Sequence, residues 1–300
     1  MTAQIIARGY RRYEGERVGV IGAMASVVRV TVHRCLGIHR PARTRVFPVL
    51  VIALAYVPTL VYVGVTVLGN RLDREGLPGR MMADAFVPSY AQNYAQIVLA
   101  IVVFSAFVAP EVLCPDQRNG MLEMYFASPL NRTTYLLAKS AAVGAMVSVV
   151  TLGPPVVLLA GYSIEGFGPN GIGEWFLTLA RIVASAIVIA SLLTAVSLAM
   201  SSLTSRRAAA SAGFLAVVVG GSSLCGLLVT QGGVTNRLNL VNLLTLPYEL
   251  TYRIFDEPSP LTVNAESPIP TPLLVGSYLV WLVVAAALVI RRYRRLATMT

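Results

Sequence analysis

The chain has 300 residues, of which 56% are hydrophobic and only 13% charged, with a mean hydropathy of +0.69. A soluble domain carries about a quarter of its residues as charges, so this composition excludes an ordinary water-soluble fold. The net charge of +10 sits in a few segments, and the apolar runs between them suit a hydrocarbon core about 30 Å thick, crossed at about 1.5 Å per helical residue.

Taken in chain order, the sequence predicts an all-α integral membrane protein. Residues 1–45 are a basic N-terminal segment with no continuous apolar core leading to a small-residue cleavage site, so they do not read as a cleaved signal peptide. Within them, 18–38 mixes Arg29, His33 and Arg34 with apolar side chains and predicts an amphipathic helix lying at a membrane face. Six spans are predicted at about 46–69, 87–110, 138–162, 175–204, 208–230 and 273–290, which makes 46–290 the transmembrane domain and 291–300 a basic tail. Pro58, Pro154 and Pro155 fall inside spans, where neighbouring helices can satisfy freed backbone groups. The second span opens with the polar run YAQNYAQ. Before the last span, 238–255 predicts two short amphipathic helices broken at Pro247, and the Pro-rich, polar stretch that follows is expected to be extended and mobile.

Basic residues accumulate on the cytoplasmic side of membrane proteins. With the N-terminus placed there, the inner segments hold eighteen basic and five acidic residues, and the outer loops five and nine. Both termini are therefore expected in the cytoplasm. Topology alone accounts for the basic surplus, so nucleic acid is not expected as a partner.

The inner connection 111–139 has more character than a plain link. Glu111, Asp116, Arg118, Glu123, Arg132 and Lys139 concentrate both signs of charge in a charge-poor chain. Between them Met121, Leu122, Met124, Tyr125, Phe126 and Leu130 recur at helical spacing, with Gly120 to start a short helix and Pro129 to stop it. A short amphipathic helix rimmed by charges suits the docking of a cytosolic partner, although periodicity alone leaves docking and plain connection equally open.

The pattern Glu111, Asp116, Gly120, Leu122, Tyr125, Pro129, Arg132, Tyr135 and Lys139 resembles the coupling-helix region of ABC transporter permeases of the type-2 exporter class. The box Tyr13-Glu14-Gly15 with Arg17 resembles the opening of a bacterial subgroup of those permeases, which usually carries proline where Glu16 stands. The resemblance implies a non-catalytic permease subunit in a bacterial cell membrane, working as a dimer with a second copy or a homologous permease. Separate ATPase subunits would bind the ATP and magnesium, gripping residues 117–130, with the helix at 18–38 alongside. The sequence is consistent with that separation: around Lys139, the only lysine, Thr133 and Ala138 stand where a phosphate-binding loop needs glycines.

Other residues carry open alternatives. Gln92, Asn93 and Gln96 could line a substrate path or serve as interhelical hydrogen-bonding glue. Ala208, Ala212, Ala216 and Gly220 recur every four residues on the fifth span, a spacing that permits close helix approach, and the resemblance implies a dimer contact there. Arg181, inside the fourth span, reads either as functional or as reaching to the headgroups. His33, Cys35 and His39 lack a fourth ligand, and Cys114 and Cys225 are remote, so neither a metal nor a disulfide is expected. A membrane enzyme needs a nucleophile or acid–base pair inside the spans, and an ATPase-independent channel or carrier commonly keeps a carboxylate or histidine at mid-membrane. Neither signal is present in the predicted spans. The apolar spans suit a hydrophobic or amphipathic cargo such as a lipid, drug or peptide, a composition that the bilayer itself also demands.

Overall fold

The computed structural model describes residues 19–37, 42–121, 130–232, 235–259 and 269–296. Its helices are α1 (Val20–Cys35), α2 (Ala42–Arg74), α3 (Gly79–Phe86), α4 (Tyr90–Arg118), α5 (Arg132–Glu165), α6 (Ile172–Leu203), α7 (Arg207–Leu215), α8 (Gly221–Thr230), α9 (Thr245–Phe255) and α10 (Thr271–Leu296). A π-helical turn, Ala216–Gly220, joins α7 to α8 without a break, and a 3₁₀ turn, Asn236–Leu240, precedes α9. No strand occurs among the described residues. Six helices are long and apolar enough to cross a membrane: α2, α4, α5, α6, the continuous α7–α8, and α10.

The bundle is organised around α4. In its most apolar stretch 78% of the residues are buried, against 22% for α2, 17% for α10 and 11% for α7–α8, so those three form the periphery. Leu60, Val61 and Leu68 of α2, Leu224 and Leu227 of α8, and Val280 and Val283 of α10 stand bare. Hydrocarbon tolerates bare apolar side chains of this size. Because lipid offers no hydrophobic drive for helix association, contact must come from close approach and interhelical hydrogen bonds. Both are present. The Ser197 hydroxyl of α6 donates to the Ser105 carbonyl of α4 at 2.6 Å, and the Tyr94 hydroxyl donates to the Ile182 carbonyl at 3.0 Å. Helices α2 and α5 meet on glycine: a Cβ on Gly161 would lie 2.5 Å from Val63 Cγ2, and one on Gly153 would overlap the Tyr56 hydroxyl. Gly161→Leu is therefore expected to part α2 from α5 and cost about 1–3 kcal/mol by overpacking, read as a lowered thermal midpoint. Gly144→Ala on the same helix, with open space around it, should leave the midpoint unchanged.

Three features depart from the sequence expectation. First, α4 runs to Arg118 instead of ending near 110, and α5 starts at Arg132 instead of 138. The helix passes through Pro110 and Pro115, and two of the charges that suggest a loop, Glu111 and Asp116, are buried against partners from other helices. Second, the loop after the first span contains α3, seated where Gly79 and Ala83 pack against Gly69 and Leu72 of α2. Third, Pro247 does not break a helix. It occupies the first turn of α9, where no intrahelical donor is required. The box at 13–17, the loop core 122–129 and the stretch 260–268 lie outside the described residues.

Candidate functional site

The densest polar arrangement lies at the end of the bundle where α4 stops and α5 starts. Asp116, in the last turn of α4, is fully buried. Its Oδ2 lies 2.7 Å from Lys139 Nζ and accepts from the Tyr135 hydroxyl at 2.9 Å, and its Oδ1 accepts from Arg34 Nη1 at 3.4 Å. Tyr135 and Lys139 stand one turn apart on α5. Thr31 and Arg34 stand one turn apart on α1, and Lys139 Nζ reaches Thr31 Oγ1 at 3.4 Å. The ammonium also lies 5.6 Å from the Tyr135 ring. One carboxylate therefore ties α1, α4 and α5 together. A buried ion pair offsets its desolvation only when hydrogen bonds satisfy the remaining lone pairs and protons. Three donors on one carboxylate meet that condition here.

Five further contacts extend the cluster. Glu111, buried on α4, pairs with Arg207 at the start of α7, whose side chain is half exposed. Cys114 donates to the Thr204 carbonyl at 3.4 Å. Gln117 Nε2 donates to the Ser201 carbonyl at 3.5 Å and to the Tyr293 hydroxyl of α10 at 3.3 Å. Tyr293 in turn packs near Tyr135, with ring centroids 6.3 Å apart. The end of α4 thus touches α1, α5, α6, α7 and α10. Cys114 and Gln117 supply donors at the end of α6, where the helix leaves carbonyls without partners.

The chain leaves this cluster through a defined cap. Gly120 is left-handed at φ +62°, and the Met121 N–H bonds back to the Asp116 carbonyl at 3.1 Å. That closure is the Schellman motif, so Gly120 ends α4, and the short helix expected to follow it lies outside the described residues. On the far side Leu130 is buried, Asn131 holds the cap position of α5, and Arg132 is its first helical residue.

The predicted site residues divide accordingly. Glu111 and Asp116, expected among the charges rimming a docking helix, are buried and paired inside the bundle because α4 stays helical past Pro110 and Pro115. Arg118, Gly120 and Arg132 are exposed and flank the loop. Glu123, Tyr125 and Pro129 lie outside the described residues. Arg34, Thr31, Gln117, Arg207 and Tyr293 join the cluster without any sequence signal. Only the placement of Arg34 near the end of an amphipathic helix hints at its role.

The polar trio on α4 does not share a face. Asn93 is buried and its Nδ2 donates to Thr59 Oγ1 of α2 at 3.2 Å, which is interhelical bonding. Gln92 and Gln96 are exposed, and Gln92 forms a reciprocal capping box with Ser89. Ala212 and Ala216 are exposed and Gly220 half-buried, and among the described residues no other element comes within 4 Å of a Cβ on Gly220. Arg181 is half-buried, and its Nη1 donates to the Phe255 carbonyl at the last residue of α9 at 3.4 Å. A cation there satisfies the end of α9, a role that the sequence could not suggest.

Nothing in the charge cluster resembles a nucleophile with its base. The arrangement is suited to holding α1, α4 and α5 in fixed relation. Comparison with protein-family models gives no match, and none of the curated proteins matches the chain.

Proposed function

We propose that the chain is the permease subunit of an ATP-driven exporter in a bacterial cell membrane, with both termini in the cytoplasm. It acts beside a second permease copy or a homologous one and is powered by separate ABC ATPase subunits that hold ATP and magnesium. The observation that carries this reading is the charge cluster at the base of the 119–131 connection. A loop that transmits force needs a stiff root, and Asp116, fully buried, joins that root to α5 through buried Lys139 and to α1 through Arg34, which is 27% exposed. The coupling-helix resemblance of 111–139 and the excess of basic residues at this end support the same assignment. Rigid-body motion of the helices between two arrangements would then alternate access across the membrane. The apolar character of the spans favours a hydrophobic or amphipathic cargo.

The test is mild purification of the tagged chain from its native membrane. An ATPase is expected to co-purify, and transport by the reconstituted complex should require hydrolysable nucleotide. Transport by the chain alone under an ion gradient, with no ATPase present, overturns the proposal.

A further inference from the structure

Helix α3 divides into three arcs when its eight residues are set at about 100° each, the angle that follows from 3.6 residues per turn. Gly79 and Ala83 form the first arc and pack on α2, with a Cβ on Gly69 falling 2.6 Å from Ala83 Cβ. Arg80 and Asp84 form the second, a polar arc. The third holds Met81, Met82 and Ala85, and Phe86 stands at its border with the first; the three large side chains are bare, with Met81 76% exposed, Met82 57% and Phe86 70%. The close glycine crossing leaves α3 no freedom to turn this arc inward. Bare apolar surface of this kind on a fixed element needs an occupant.

We propose that α3 lies in the interfacial zone of the bilayer, with Met81, Met82 and Phe86 at the boundary between headgroups and acyl chains and Arg80 and Asp84 toward water. Three observations select lipid over a protein partner. Bare apolar surface is also present on α2 next to the crossing, where Leu68, the chain neighbour of Gly69, is 56% exposed. Secondly, α3 is fixed at the same level as the α5–α6 turn. Arg80 Nη2 donates to the Gly166 carbonyl at 3.0 Å with its guanidinium 5.2 Å from the Phe167 ring, and Asn70 donates to the Glu165 carboxylate at 2.8 Å. At that turn Ile164, Ile172 and Phe176 are also bare, at 82%, 79% and 60% exposed. Apolar side chains from separate elements exposed at one level form a belt, which is how a protein meets a membrane–water interface. Thirdly, the charges of the segment balance, with Arg71, Arg74 and Arg80 against Asp73, Glu75 and Asp84. Insertion therefore rests on apolar burial and needs no anionic headgroup.

This inference is independent of the permease reading, and its test needs no transport assay. Cys35 and Cys114 are buried, so Cys225→Ser leaves no accessible thiol. Single cysteines at Met82, Phe86 and Asp84 in that background would carry nitroxide labels, with the protein in phosphatidylcholine nanodiscs. Collision with oxygen, which partitions into lipid, is compared with collision by a water-soluble nickel chelate. The oxygen-to-nickel ratio is expected to be several-fold higher at Met82 and Phe86 than at Asp84. Equal ratios at all three positions overturn the proposal. So does shielding of Met82 and Phe86 from both reagents with dipolar broadening between labels, which would place a second copy of the chain on α3.

Discussion

Asp116→Ala is expected to destabilise the protein by about 3–5 kcal/mol, the usual consequence of leaving a buried charge without its partner. Lys139 loses the carboxylate that lies 2.7 Å from its ammonium, and with its side chain 3% exposed it gains no water in exchange. The Tyr135 hydroxyl loses its acceptor in the same step. Thermal unfolding followed with a thiol-reactive dye in a Cys225→Ser background suits this chain, because the remaining Cys35 and Cys114 are buried and become reactive only on opening. The double variant Asp116→Asn with Lys139→Met should recover much of the loss, because removing both charges removes the desolvation together with the attraction. Equal midpoints for wild type and Asp116→Ala would show that the cluster holds nothing together.

The second large effect concerns the loop and bears on the proposed function. Glu123→Arg, or replacement of 122–128 by a glycine–serine stretch of equal length, should reduce ATPase association to background while the chain stays inserted and monodisperse. Insertion is expected to survive because the closing elements lie outside the replaced stretch. Gly120 and Met121 cap α4, Asn131 and Arg132 open α5, and Asp116 joins the two helices through Tyr135 and Lys139. A pull-down of each variant against the ATPase, beside size-exclusion profiles, reads both properties. Undiminished complex formation in both variants would show that 122–128 is a plain connector.

The comparison of sequence with structure separates what a residue carries in itself from what it acquires from distant partners. Six spans were legible because the length of an apolar run is a local property matched to bilayer thickness. Helix α1 was legible from its amphipathic pattern, and it occupies Val20–Cys35 within the predicted 18–38. The last turns of α4 were not legible. Pro110, Pro115, Glu111 and Asp116 together read as loop, and only contacts with Arg34, 82 residues away, and Arg207, 96 residues away, make a buried helix of them. Arg181 was ambiguous for the same reason, because its acceptor at Phe255 lies 74 residues on. Helix α3 escaped notice because eight residues beginning at a glycine carry little periodicity, and the crossing with Gly69 that seats it is a tertiary event. Gly153 and Gly161 likewise become meaningful only when Tyr56 and Val63 arrive opposite them.

The π turn at Ala216–Gly220 has a consequence for the small residues spaced every four positions on α7–α8. In an α-helix of 3.6 residues per turn, a step of four overshoots a full turn by about 40°, so a row at that spacing spirals around the cylinder. Hydrogen bonds from i to i+5 widen the turn beyond four residues, and the same step then falls short and swings back. Ala208, Ala212 and Ala216 drift one way, and the step to Gly220 reverses the drift. The row is thereby brought partway back toward the face on which it started. A neighbouring helix can keep contact with such a row over more turns than it could on a strict 3.6-residue helix, which would carry the row steadily away.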